Sequence, residues 1–282
     1  MFMVRPKKVA LVLGGGGARG IAHIGMLKVF EREDIKVDLV VGTSMGAVIG
    51  AGHCLGLAAS TMEKRATSIA WTDLFDPTLP TQGLIEGMKL QHVIEDLLEN
   101  KTFLDAVTPL AVVTTDIEKA EEVVYTSGPL AKLVRASSSW PGIFNPVKHE
   151  NRLLVDGGIK NSVPVSIAKN LGADFIIACD VGFCVTRDRE VSNILRILLQ
   201  SFQIMGAELN TYQSKQADII IEPELGNIDQ AGFDKSREII HAGQVAAEKA
   251  LPLLQKKLGL KRRRFRFQFL KKKTTKDVDI HG

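Results

Sequence analysis

Residues 9–13 read Val-Ala-Leu-Val-Leu, and the next seven read Gly-Gly-Gly-Gly-Ala-Arg-Gly. A strand with one wet face alternates apolar and polar residues; an unbroken β-branched and Leu run is buried on both faces. Such a strand needs a layer of helices above and below it. The chain that opens this way is therefore committed to an α/β fold with a buried parallel sheet.

The rest of the sequence keeps that rhythm. Short apolar runs at 38–41, 110–115, 122–125, 153–155, 174–179 and 218–221 are predicted strands. Helices are predicted at 20–33, 44–57, 60–69, 88–99, 129–138, 163–171, 191–209 and 234–258. Strand alternates with helix almost throughout, which predicts a three-layer α/β/α domain over 1–258 with one mostly parallel central sheet. Residues 71–87 carry Pro77, Pro80, Gly83 and Gly87 and read as a long loop, a lid or a surface connection. The dense apolar run ILRILLQSFQIM in the 191–209 helix is read as a face packed on the sheet and not as a membrane span.

The spacing Gly15-x-Gly17-x-x-Gly20 matches the dinucleotide-binding fingerprint. That site also needs a carboxylate at the end of the second strand to hold a ribose. Asp38 begins that strand, and the strand ends in Val40-Val41-Gly42. A phosphate loop would need Lys-Ser/Thr after Gly20, where Ile21 stands. A bound nucleotide is not expected.

The second strand runs into Gly42-Thr43-Ser44-Met45-Gly46, a G-x-S-x-G between a strand and an Ala-rich helix. This is the form of a nucleophile elbow, in which a sharp turn exposes Ser at the carboxyl end of a strand. Gly42 and Gly46 provide the close approach the turn needs. The helix N-terminus behind Ser44 favours a developing negative charge. The glycine loop and the elbow follow neighbouring strands, so they emerge at one edge. The backbone N–H groups of the loop can then serve as an oxyanion hole for acyl transfer.

Ser44 needs a base. By chain order His241 is the choice for a Ser-His-Asp triad, although it lies among apolar residues of a helix; His23 and His53 are nearer in sequence. Asp156, ending the apolar run Leu153-Leu154-Val155 before Gly157 and Gly158, offers a Ser-Asp dyad, and Asp180 in IIACDVG is a competing carboxylate. A buried carboxyl has a raised pKa and becomes a better base. A binding or regulatory protein without catalysis on the same fold is the reading from another class.

The motifs Gly15-Gly16-Gly17-Ala18-Arg19-Gly20, Gly42-Thr43-Ser44-Met45-Gly46 and Asp156-Gly157-Gly158, in this order, resemble the patatin-like phospholipase family, closest to its compact bacterial members. The stretches AHIGMLK, ASSSWPGIFNPV (136–147) and DGGIKNSVPV (156–165) add to the likeness, which runs over about residues 7–250. Gly14 departs from it, because many members carry Ser or Asp there. The resemblance implies Ser44 as nucleophile, Asp156 as base, and the N–H groups of Gly15, Gly16 and Gly17 as the oxyanion hole. It implies Arg19 as a loop support or a contact for an anionic head group. The reaction implied is hydrolysis of acyl esters of lipids, of lipase, phospholipase A or lysophospholipase type, through an acyl-enzyme and with no cofactor.

Charge divides the chain. Nine Lys/Arg and two Asp lie between Lys261 and Gly282, a surplus of seven positive charges within a total of +4. The body is therefore mildly acidic and the 259–282 tail strongly basic. Its core, KRRRFRFQFLKKK (261–273), suits peripheral contact with an anionic membrane better than contact with nucleic acid. Cys54, Cys179 and Cys184 form no C-x-x-C pair and no metal spacing with the six His, which points to buried thiols in a reducing compartment and to no structural zinc. The apolar run at 9–13 is too short for a signal peptide, so the expected location is the cytoplasm, at most peripheral to the inner membrane face.

Overall fold

The structure is a computed structural model that describes residues 8–79, 82–183 and 194–260. In chain order the elements are β1 (Val9–Leu13), α1 (Ala22–Arg32), β2 (Leu39–Thr43), α2 (Met45–Cys54), α3 (Ala59–Ala66), β3 (Gly83–Ile85), α4 (Met88–Leu98), β4 (Leu110–Asp116) and β5 (Glu121–Tyr125). After these come α5 (Leu130–Ser137), β6 (Gly142–Phe144), β7 (Val147–His149), β8 (Arg152–Asp156), α6 (Gly158–Asn161), α7 (Val165–Asn170), β9 (Phe175–Cys179), α8 (Ile194–Ser214), β10 (Ile219–Ile221) and α9 (Ser236–Leu258).

The main sheet has the order β10-β9-β1-β2-β4-β8-β7, with β5 also paired to β4. β10, β9, β1, β2 and β4 run parallel. β1 is the spine, as its composition demands. Val9, Leu11 and Leu13 point into one core with α1, α2 and α9, while Ala10 and Val12 point into a second with α7. Alternate residues of one short strand thus feed both helical layers.

The sheet is mostly parallel as expected, and two features go beyond the sequence expectation. β5 and β8 are antiparallel to β4, and β7 is antiparallel to β8. The 71–87 segment contains β3, which pairs in parallel with β6 in a separate two-stranded sheet. β3, β6 and β7 are three residues each, too short for a periodic signal. The predicted helix at 191–209 is α8, and its first three positions lie outside the described residues. So do Cys184 and residues 261–282 of the tail. Among the described residues no helix is long and apolar enough to cross a membrane.

α1 and α9 meet backbone to backbone. A Cβ on Gly25 would run into the carbonyl oxygen of Ile240, and one on Gly243 into that of Ala22. Overpacking a close crossing of this kind typically costs about 1–3 kcal/mol. Gly243→Val is therefore expected to lower unfolding free energy by about that amount in urea titrations. His241→Ala, two residues away on the exposed side of α9, is expected to change it by less than about 0.5 kcal/mol.

Candidate active site

The site forms where β1 and β2 end side by side, with Leu13 paired to Gly42. The glycine loop leaves β1 and the elbow leaves β2, so both lie at the carboxyl edge of the parallel strands. Asp156 reaches this edge by a different route. β4 continues past the end of β2, and β8 returns antiparallel along it, so that Asp156 stops opposite Thr114, next to the level of Thr43. A carboxylate is thereby delivered by an antiparallel strand of the same sheet to the start of α2.

Ser44 has φ 55° and ψ −126°, a backbone region that costs a non-glycine residue about 1–3 kcal/mol. Neighbouring groups hold it there. Its N–H donates to Ser137 Oγ at 2.8 Å, and that hydroxyl donates to the Val113 carbonyl at 2.6 Å. Its carbonyl accepts from Ala47 N–H at 2.8 Å and Val48 N–H at 3.1 Å. Thr43 Oγ1 donates to the Asn161 carbonyl at 2.9 Å. The two elbow glycines are demanded by the turn. A Cβ on Gly42 would stand 2.6 Å from the Gly46 carbonyl oxygen, and one on Gly46 would overlap the carbonyl of Leu13.

Ser44 Oγ donates to Asp156 Oδ2 at 2.6 Å, and Asp156 Oδ1 accepts from Gly158 N–H at 2.7 Å. The second bond explains Gly158, whose Cβ would sit 3.0 Å from Oδ1. Asp156 is held in place by its own N–H, which donates to the Ser139 carbonyl at 2.9 Å. Burial pushes the Asp156 carboxyl up to about 6, and the two hydrogen bonds from Ser44 and Gly158 pull the other way without reversing the shift.

The glycine loop lies beside this pair. A Cβ on Gly15 would be 3.2 Å from Ser44 Cβ, one on Gly16 would be 2.6 Å from Val181 Cγ2, and Gly17 has φ +56° against the Gln230 carbonyl. The three glycines are not equivalent. Gly15 N–H donates to the Ser162 carbonyl at 3.0 Å. The N–H groups of Gly16 and Gly17 donate to no group among the described residues. Met45 packs its side chain against the Cα of Gly20 and lines the cavity in front of Ser44.

Arg19 faces backbone. Its Nε donates to the carbonyls of Val181 (3.0 Å) and Gly182 (3.1 Å), and its Nη1 to those of Gly226 (3.1 Å) and Ile228 (2.9 Å). It is buried, so it clamps the loop to two distant segments and offers no charge to a head group.

None of His23, His53 and His241 is hydrogen-bonded to Ser44. His23 is fully buried and contacts the Gly14 carbonyl through Nε2 at 2.8 Å, and burial lowers its pKa to about 4, so the ring is neutral. It supports the glycine loop from behind. Burial also lowers the pKa of His53. His241 is exposed on α9. Asp180 serves a separate network, accepting from Gly182 N–H and Asn210 Nδ2, each at 2.9 Å. Asp38, the residue a dinucleotide site would use, accepts from Val9 N–H at 2.8 Å at the opposite edge of the sheet. Sequence reasoning left Ser137 and Ser139 without roles. Their only signal was the serine run that ends α5.

A cavity of about 870 Å³ opens in front of Ser44, Asp156 and the three loop glycines. Its walls are mostly apolar, including Leu74, Leu90, Trp140, Phe144, Phe202 and Phe233. Cavities of this size and character hold small organic ligands. Among the described residues no cluster of His, Cys, Asp or Glu could hold a metal ion.

Comparison with known proteins places this architecture. The patatin-like phospholipase family model matches residues 11–169, which include the glycine loop, the elbow and Asp156. The chain is 40% identical over 228 residues to human patatin-like phospholipase domain-containing protein 6, covering 78% of this chain and 16% of that one. It is 30% identical over 273 residues to lysophospholipase NTE1 of Scheffersomyces stipitis, covering 86% of this chain and 18% of that one. The chain thus spans less than a fifth of the length of these curated relatives. In fold it is similar to VipD of Legionella pneumophila, with a TM-score of 0.61 at 15% identity over 89% of this chain and 67% of that one. On the motifs and on these matches together, the chain belongs to the patatin-like phospholipase family.

Proposed function

We propose that this protein is a serine acyl hydrolase acting on acyl esters of lipids, with Ser44 and Asp156 as its catalytic dyad. The observation that carries the reading is the 2.6 Å hydrogen bond from Ser44 Oγ to a buried carboxylate at the floor of an apolar cavity. The relatives named as phospholipase and lysophospholipase support the substrate class.

In the first half-reaction Asp156 Oδ2 takes the hydroxyl proton as Ser44 Oγ attacks the ester carbonyl. The tetrahedral oxyanion is received by the N–H groups of Gly16 and Gly17, with the positive end of α2 behind it. Gly15, whose N–H is engaged by Ser162, contributes by letting the loop approach Ser44 without a side chain. Collapse of the intermediate expels the alcohol, which leaves with the proton held by Asp156. Water then attacks the acyl-Ser44 ester, giving its proton to Asp156, and the fatty acid departs as Ser44 recovers its hydrogen. The acyl chain occupies the apolar walls during both steps.

A carboxylate of ordinary acidity is a poor base towards a serine hydroxyl. The raised value of about 6 at Asp156 brings it nearer the working range. The base must be ionised to act, so kcat/KM is expected to rise with pH through about 6 and to level off above it. A profile flat down to the ordinary carboxylate range would remove Asp156 from the role of base.

Ser44→Ala should abolish both ester hydrolysis and labelling by a fluorophosphonate probe. Asp156→Asn, with an unchanged circular dichroism spectrum, should lower kcat by at least about a thousandfold, and His241→Ala should leave it unchanged. Full activity in Asp156→Asn would sink the dyad.

Gly17→Ala meets the Gln230 carbonyl at 2.5 Å and loses the positive φ, so its N–H must move. Loss of one oxyanion donor typically costs about 10²–10³ in kcat. That drop should appear in kcat with little change in KM, measured on a short-chain nitrophenyl ester.

A further inference from the structure

α8 is apolar on two sides. One side, through Leu199, Phe202 and Gly206, forms a wall of the cavity that holds Ser44. The other turns to solvent. Ile194 is 76% exposed, Ile197 52%, Leu198 51% and Ile204 51%. At 100° per residue these positions, with Ser201 and Met205, fall on one stripe of the helix. Met205 and Leu209 belong to both sides, being exposed and also lining the cavity. The outer stripe is therefore continuous with the cavity wall across its rim. On another wall, Leu74 and Leu90 line the cavity, and Phe75 and Met88, one and two residues from them, are exposed.

We infer that the outward stripe of α8 is a docking surface for a lipid bilayer. An exposed apolar patch on a water-soluble body marks a binding surface, and its occupant here is indicated by the cavity it adjoins. An acyl chain leaving a bilayer for the Ser44 cavity must avoid water along its length, because each exposed methylene is unfavourable. A helix pressed into the bilayer on one side and lining the cavity on the other gives it such a path. This step rests on the lipid-hydrolase reading of the site. The C-terminal end of α8 fits the interface with head groups. Tyr212 is exposed there with Lys215 Nζ 6.0 Å from its ring centroid, and Glu208 lies one turn before it. Aromatic rings with a polar tip settle at that level. α8 contains only two charged residues, Arg196 and Glu208, so the contact is apolar in origin and tolerates zwitterionic lipid and high salt. This separates it from any attraction exerted by the basic tail.

The test uses the full chain and its Ile197→Ser, Ile204→Ser double variant, neither position lining the cavity. Flotation with phosphatidylcholine vesicles in high salt should show the wild type bound and the variant weakened by about tenfold or more. Hydrolysis of vesicle lipid should fall in step, while a soluble short-chain nitrophenyl ester is hydrolysed at the wild-type rate within about twofold. Equal vesicle binding by the two proteins overturns the inference. So does a wild type that is dimeric in sedimentation while the variant is monomeric and still floats, because the stripe then covers a second copy. A chain that binds vesicles through the stripe but is not labelled at Ser44 sinks the hydrolase reading and leaves the docking surface standing.

Discussion

Ser44 stands in a backbone conformation that side-chain-bearing residues avoid, and the rest of the site is arranged around keeping it there. The turn closes because Gly42 and Gly46 bring β2, α2 and the end of β1 into backbone contact. Ser137 ties the Ser44 N–H to β4, and α2 takes the Ser44 carbonyl into its first turn. None of these bonds involves the side-chain oxygen of Ser44. The Ser44 hydroxyl is left free for a single partner, and Asp156 is brought to it by a strand that runs against the parallel sheet. The strain is tolerated because the surrounding core is doubly layered. β1, the strand behind the glycine loop, is buried along its full length and leaves the backbone little freedom to relax.

The same burial sets the acidity of Asp156. A carboxylate in water is fully ionised at neutral pH and has little affinity for a serine proton. Asp156 is enclosed, with Ser44 and Gly158 as its side-chain partners, and its pKa rises to about 6. This has a cost in stability. A carboxyl whose folded-state pKa lies above its unfolded value favours the protein below the unfolded pKa and loses that contribution as pH rises through about 6. The folded state at neutral pH therefore carries an ionised group it would hold more readily as the acid. Two hydrogen bonds offset part of that penalty, and the Ser44–Asp156 bond is one of them. The Ser44–Asp156 contact thus also moderates the cost of burying the carboxylate.

Much of this was legible in the letters. The unbroken run at 9–13 specified a strand buried on both faces, and the structure feeds its alternate residues into two cores. The G-x-S-x-G between strand and helix specified the elbow, because both glycines answer a steric demand that acts over a few residues. Contacts distant in sequence were the ones that stayed hidden. Nothing local to Leu153–Asp156 says that the strand runs antiparallel, since strand direction is set by the partner. The Gly15 N–H is indistinguishable in sequence from those of Gly16 and Gly17, and only the Ser162 carbonyl singles it out. Arg19 could have faced a head group. It is held by four carbonyls, two of them more than 200 positions away.

α8 shows why hydrophobic periodicity alone under-determines a helix. Its run ILRILLQSFQIM is too apolar for a helix with a single buried face, and reading it as one face packed on the sheet leaves the excess apolar residues unplaced. The fold divides it. The next described element after β9 is α8, and β9 ends at the same carboxyl edge as the glycine loop and the elbow. A helix at that edge can close the cavity with one face only. The remaining apolar residues stay outside, next to the opening of the cavity. Parallel-sheet topology gathers Ser44, the glycine loop and this helix at one edge. On the proposed lipid-hydrolase function, access for an apolar substrate and the groups that would cleave it are thereby placed together by the same chain direction.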